Sequence, residues 1–114
     1  MPISLPATIE SFFVAKNAHA ADAVALTFAD DAHVEDDGKT YHGRDEIRDW
    51  SDKESGSVQI VLTVTEASRH GKKAVVTADA SGNFPGSPLA FVFRFQGSDE
   101  DFGQISHLAI EVKQ

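Results

Sequence analysis

The stretch FADDAHVEDDGKTYHGRDEIRDW, residues 28–50, holds eight acidic residues, two histidines and a Gly-Arg step between two aromatic side chains. Its hydrophobic spacing changes twice. Ala32, Val34 and Asp36 alternate with His33 and Glu35, the two-residue period of a strand. Asp37-Gly38 is a pair that accepts positive φ and marks a hairpin turn, so residues 39–42 form the returning strand. Gly43 breaks that strand. From Arg44 to about Glu54 the spacing of Ile47 and Trp50 suits a helix with one buried face. Strand, tight turn and helix in direct succession set the frame for the rest. The same alternation places Asp36 on the face of Ala32 and Val34, whereas most of the other acids read as turn, cap or solvent residues.

Working outward, Pro2 and Pro6 make an irregular start. Ile9, Phe12, Phe13 and the stem of Lys16 recur at three-to-four spacing, which predicts a helix over residues 7–16. Asn17 to His19 is a short break. Asp22 is placed to cap a second helix running to about Phe28, with Val24, Ala25 and Phe28 on one stripe. Beyond Ser55 the chain reads as strands alone. Val58, Ile60, Leu62 and Val64 alternate; His70-Gly71-Lys72 turns; residues 74–81 return. Gly82 to Pro88 is a loop by composition. Leu89, Phe91, Phe93 and Phe95 then make a strongly apolar face. Gly97 to Gly103 turns, and residues 104–113 close with Ser106, Leu108, Ile110 and Val112 on one side. Three helices followed by antiparallel strands predict one α+β domain over residues 1–114, with the helices packed in a curved sheet. Such a sheet leaves a concave apolar interior suited to a small ligand.

The chain has 114 residues, a net charge of −8 and 41% hydrophobic residues. That size suits one core, and the charge repels a phosphate backbone, so nucleic acid is not an expected partner. Cysteine is absent, which excludes disulfides, thiolate catalysis and thiolate metal sites. No apolar run is long enough to span a bilayer, so a soluble, cytoplasmic protein with no membrane partner is expected. None of the five histidines forms an HxH or HxxxH pair, so no metal site is expected, and no cofactor either.

The order of elements, the segment ALTFADDAHVEDDG followed by YHGRDEIRDW, the loop GNFPGSP before FVFRF, and the ending GQISHLAIEV together resemble the NTF2-like superfamily. The resemblance is strongest to its SnoaL-like and ketosteroid-isomerase-like group, and it covers nearly the whole chain. It implies a cystatin-like cone of curved sheet closed by three N-terminal helices. It also implies a role for Asp36, which matches the general-base aspartate of the isomerases. A carboxylate in the wall of an apolar pocket is partly desolvated, a setting that suits a base. The isomerases' two oxyanion donors, a tyrosine and a protonated aspartate, fall at Phe12 and Phe91. Neither can donate a hydrogen bond, so steroid isomerisation by that mechanism is not expected. The relays of the epoxide hydrolases and scytalone dehydratases of this fold cannot be assembled either.

The expected pocket lining is Phe12, Trp50, Phe91, Phe93, Leu108 and Ile110, with Tyr41 and His42 near the mouth. Asp79 is a further candidate whose face is open: the alanines of its strand argue that it points outward, the resemblance that it points inward. Trp50 Nε1–H and Tyr41 are the aromatic candidates for oxyanion donors. Arg94 and Lys113, with Val92 between them on the outer sheet face, suggest a homodimer through that face. Two readings follow. One is a binder of a small apolar or ring-containing molecule that carries out isomerase- or cyclase-type proton transfer with Asp36 as base. The other is a non-catalytic ligand-binding or dimerisation module.

Overall fold

The computed structural model describes residues 5–54, 60–82 and 84–113. Its elements are α1 (Ala7–Asn17), α2 (Ala21–Leu26), β1 (Phe28–Asp36), β2 (Lys39–His42), α3 (Gly43–Glu54), β3 (Val61–His70), β4 (Lys73–Ser81), β5 (Leu89–Gly97) and β6 (Ile105–Val112). The strands form one curved sheet in the order β2-β1-β6-β5-β4-β3. The expected end of the third helix at Ser55 to Ser57 and the start of the next strand at Val58 lie outside the described residues.

The sheet is mixed, not wholly antiparallel. β1 runs parallel to β6, because the helices and the hairpin come before the meander and the last strand returns to pair with the first. β1 is also longer than the alternation of residues 32–36 implies. Thr27 Oγ1–H donates to the Val24 carbonyl (2.7 Å) and closes α2. The Thr27 carbonyl then accepts from the Ile105 amide (2.8 Å). Phe28 therefore enters the sheet and does not continue the helix. α2 begins at Ala21 behind Ala20, with no side-chain cap, so Asp22 lies inside the first turn and does not cap it. β3 runs through His70, leaving Gly71-Lys72 as the turn.

The apolar faces meet as their periods require. From α1 come Ile9, Phe12, Phe13 and Ala15; from α3, Ile47, Trp50 and Ser51; all are buried. Ala74, Val76, Ala78 and Ala80 line the inside of β4, and Phe93 and Phe95 the inside of β5. Phe12 sits at the centre, edge-on to Phe13 (5.2 Å between ring centroids), Phe28 (5.9 Å), Phe93 (6.3 Å) and Phe95 (5.4 Å). Edge-to-face contacts of this kind add about 0.5–1.5 kcal/mol each beyond the area they bury.

Two polar clamps fix the helices to the sheet. The Asn17 amide spans α1 and β3: Nδ2–H donates to the Leu62 carbonyl (2.9 Å), and Oδ1 accepts from the Leu62 amide (2.7 Å). It completes strand pairing where no strand lies alongside. Arg44 ties the start of α3 to β1 through Nε–H to the Phe28 carbonyl (2.9 Å) and an ion pair with Asp30 (2.7 Å). Replacing Asn17 by Ala strands both backbone groups of Leu62, and the expected loss is about 1–3 kcal/mol. Asn17→Asp, which keeps the acceptor only, is expected to fall between wild type and Asn17→Ala. Urea unfolding measures both, with the denaturant slope unchanged.

Candidate active site at the open end of the sheet

Strand parity carries Asp36 to the inner face. Ala32 and Val34, two and four residues earlier, are fully buried, while Asp36 is half-buried where the strand leaves the core. Asp36 lies in register with Ile110 of β6, which is itself opposite Phe93 of β5. The next row outward pairs Phe91 with Val112. An open hollow of about 770 Å³ is bounded by Asp36, Asp37, Gly38, Phe91, Ile110, Glu111 and Val112. Its floor is apolar, and Asp36 stands at its edge.

The hairpin forms one lip of that hollow. Asp37 and Gly38 both have positive φ (54° and 75°), the conformation of a type I′ turn that matches the twist of the flanking strands. With the turn in that form, Asp36 faces Lys39 across the hairpin and Tyr41 comes inward against Trp50, at 6.2 Å between ring centroids.

The Trp50 indole Nε1–H donates to Asp36 Oδ2 at 2.9 Å. Asp36 is therefore gripped by one oxygen, and its orientation is set by a buried ring on α3. The Lys16 ammonium lies 4.4 Å from the centre of the same indole, close enough for a cation–π attraction. Lys16, Trp50 and Asp36 thus form a chain of contacts from α1 through α3 to β1. The sequence pointed to Trp50 as a pocket wall and to its N–H as an oxyanion donor. The structure commits that N–H to Asp36 instead, so the indole positions the carboxylate. Lys16 was legible only as a hydrophobic stem, because its contact with Trp50 joins segments far apart in the chain.

The remaining expected site residues separate into three groups. Phe91 and Ile110 line the hollow, and Tyr41 packs behind it. Phe12, Phe93 and Leu108 are at most 3% exposed and belong to the packed core, so they support the site from beneath and do not line it. Asp79 and His42 face away. Asp79 sits between the buried Ala78 and Ala80 on the opposite face of β4, across from Thr63 and Ala90. Ala74, Val76, Ala78 and Ala80 are all buried, so theirs is the inner face. His42 turns to the outer sheet face, where its ring lies 5.6 Å from that of His33, because Tyr41 beside it takes the inner position.

A second hollow, of about 480 Å³, runs along the outside of α1 and α2. Alanines and Val14 line most of it, with Glu10 and Ser11 as its polar groups, and no acid–base pair converges there. Among the described residues no group of three His, Asp or Glu is placed to hold a metal ion, and no helix is long and apolar enough to cross a membrane.

The fold and sequence have clear relatives. A proposed polyketide cyclase from Sinorhizobium meliloti is 36% identical, with 94% of this chain and 95% of that chain covered and a TM-score of 0.87. A ketosteroid isomerase-like protein from Catenulispora acidiphila, solved with trimethylamine, is 21% identical over 95% of this chain and 86% of that one, with a TM-score of 0.83. SalBIII, an epoxide hydrolase/cyclase-like enzyme of pyran ring formation in salinomycin, is 19% identical over 95% and 89%, with a TM-score of 0.79. These last two are similar in fold alone. No curated protein matches the chain. The SnoaL-like domain model matches residues 9–108, a span that includes both the aromatic core and the Asp36–Trp50 pair, and the chain belongs to the SnoaL-like family.

Proposed function

We propose that this protein binds a small apolar or ring-containing molecule over Phe91, Ile110 and Val112, and that Asp36 moves a proton on it in an isomerase- or cyclase-type reaction. One observation carries the reading: a half-buried carboxylate, held through one oxygen by a buried indole N–H, stands at the edge of an open hollow whose apolar residues are Phe91, Ile110 and Val112. A fixed base with its other oxygen turned to substrate needs little reorganisation to accept a proton. The family and the proposed cyclase relative support cyclase- or isomerase-type chemistry.

The same geometry narrows the substrate. Phe12 is sealed in the core, Phe91 has no donor, the Trp50 N–H is engaged by Asp36, and Tyr41 is not among the residues that bound the hollow. A developing oxyanion therefore meets little preorganised donation, a feature whose loss costs about 10²-fold or more in enzymes that rely on it. A carbon between two carbonyl groups fits this site, because its second carbonyl shares the negative charge. In such a reaction Asp36 takes the proton from that carbon. The enolate carbon then attacks a carbonyl carbon elsewhere in the molecule, and the alkoxide so formed takes the proton held by Asp36; where the enolate is instead conjugated with an alkene, Asp36 returns the proton to the far end of the conjugated system.

The lack of oxyanion donors also favours the second reading, a module that binds the same class of molecule without turnover. Half-buried Val75, Ala90, Val92 and Ala109 on the outer sheet face support pairing of two copies there. The expected result is a concentration-dependent dimer in sedimentation velocity that Val92→Asp dissociates.

Trp50 is the chain's one tryptophan, so its emission reports directly on the site. An aromatic or alicyclic β-keto ester is expected to shift that emission saturably. Phe91→Ala is expected to weaken the apparent affinity by about tenfold, the scale of losing an aromatic wall. The same esters test the chemistry by deuterium exchange at the carbon between the carbonyls, followed by NMR. Wild-type protein is expected to accelerate exchange, and Asp36→Asn to lose about 10²-fold or more of that acceleration. Equal acceleration by Asp36→Asn overturns the role of Asp36. Binding without any acceleration establishes the non-catalytic reading.

A further inference from the structure

Three histidines that the proposed chemistry does not use meet on the outer face of the sheet. His33 lies at the centre of the row, on β1. The His107 ring of β6 is 4.3 Å from it on one side, and the His42 ring of β2 is 5.6 Å from it on the other. The rings lie side by side, tilted by 31° and 33°. His33 and His107 are partners in the β1–β6 register, and His33 and His42 in the β1–β2 register. The backbone therefore holds all three at neighbouring positions of three adjacent strands.

We propose that this row makes the β1–β2 hairpin an acid-labile flap: a proton taken up by His33 within the row forces β2 away from β1 and loosens the wall that carries Tyr41 beside Trp50 and Asp36.

The strand that would move is the shortest in the sheet. β2 has four residues, lies at the edge, and pairs with β1 alone. Lys39, Thr40 and His42 are exposed, so Tyr41 is its one half-buried side chain. What holds it is the β1 ladder, the contact of Tyr41 with Trp50, and a hydrogen bond from the His42 amide to Glu46 Oε1 (2.9 Å). α3 has its own anchor in Arg44, bonded to Asp30 and to the Phe28 carbonyl. The hairpin can therefore loosen without carrying α3 away.

The charges around His33 set the direction of the effect. Burial is the largest influence, and it disfavours the charged ring; His107 from β6 and His42 from β2 disfavour it further. Glu35 and Asp31, its neighbours two positions away on the same face of β1, favour it. Glu35 also lies 3.3 Å from His107 Nε2, on the β6 side of the row. The net result holds His33 below the ordinary histidine value of 6.5. A group lowered on folding binds its proton more readily in the unfolded or opened chain. The stability due to neutral His33 is thus complete above about pH 6.5 and declines as pH falls through the folded value.

Amide hydrogen exchange, expressed as protection factors to remove the intrinsic pH dependence, tests the flap at about pH 7.5 and about pH 5. In the wild-type chain the β1–β2 amides are expected to lose about tenfold in protection at the lower pH, the scale of like charges held close at a protein surface. The β3–β4 amides, remote from the row, serve as the reference and are expected to change less. His33→Asn is expected to abolish the difference between the two regions, and His42→Gln, at the exposed end of the row, to reduce it. Protection in β1–β2 that tracks β3–β4 in the wild type overturns the proposal. So does a loss in both variants equal to that of the wild type. The readout needs no ligand and no turnover, so it is independent of the function assigned to Asp36.

Discussion

The position of Phe12 decides where this protein can hold anything. Four of the other seven phenylalanines, Phe13, Phe28, Phe93 and Phe95, gather around that ring. Complete burial of a side chain of this size stabilises by about 1.5–3 kcal/mol, and the rings around it, 5.2 to 6.3 Å away between centroids, occupy this part of the interior. A curved sheet closed by helices has a concave interior, but here much of that interior is aromatic core. Along β5 the filling ends in steps: Phe95 and Phe93 are buried, and Phe91 is half-exposed. The usable space begins at Phe91, which is why the hollow and the one inward carboxylate of β1 occur together at the open end.

Asp36 owes its setting to the same boundary. Two residues earlier Val34 is sealed in the core; one residue later the chain turns through Asp37-Gly38. A carboxylate nearer the core would lose its hydration with little to replace it, and one further out would be an ordinary solvated acid. At this depth the Trp50 N–H replaces one water for Asp36 and is itself satisfied. The pairing answers two demands with one bond, since a buried indole N–H also needs an acceptor. It therefore has a structural use beside the chemical one proposed for it.

Much of this was legible in the chain. The change of period across residues 28–50, the Asp-Gly turn and the alternation Phe91-Phe93-Phe95 determine the elements and the inward direction of Asp36, because each is a local pattern with a single geometric outcome. The resemblance to the SnoaL-like group rests on the same stretch, and the family match includes it. Other features depended on contacts between distant segments. Nothing near Asn17 indicates that its amide bonds both backbone groups of Leu62. Nothing near Trp50 indicates that its N–H reaches Asp36 or that Lys16 covers its face. Parity placed His33 and His107 on the outer face but could not bring them together, since their contact requires the parallel pairing of the first and last strands. The same crossover adds one parallel pair, β1 with β6, to the curved antiparallel sheet expected from the sequence.

The eight acids of the opening stretch finally divide by what each touches. Asp30 holds Arg44, Glu46 holds the His42 amide, Glu35 faces His107 and Asp49 lies beside Arg48. Asp31, Asp37 and Asp45 are exposed. Asp36 alone is joined to the buried side of the sheet. Inner and outer faces alternate residue by residue from Ala32 to Asp36 of β1, so the carboxylate at the hollow and the histidine row beyond it share one backbone and one edge partner, β2. A shift in β2 reaches both faces at once: Tyr41 beside Trp50 on the inside, His42 beside His33 on the outside. The short hairpin that made the fold recognisable in the sequence is thus also the element through which the two faces are coupled.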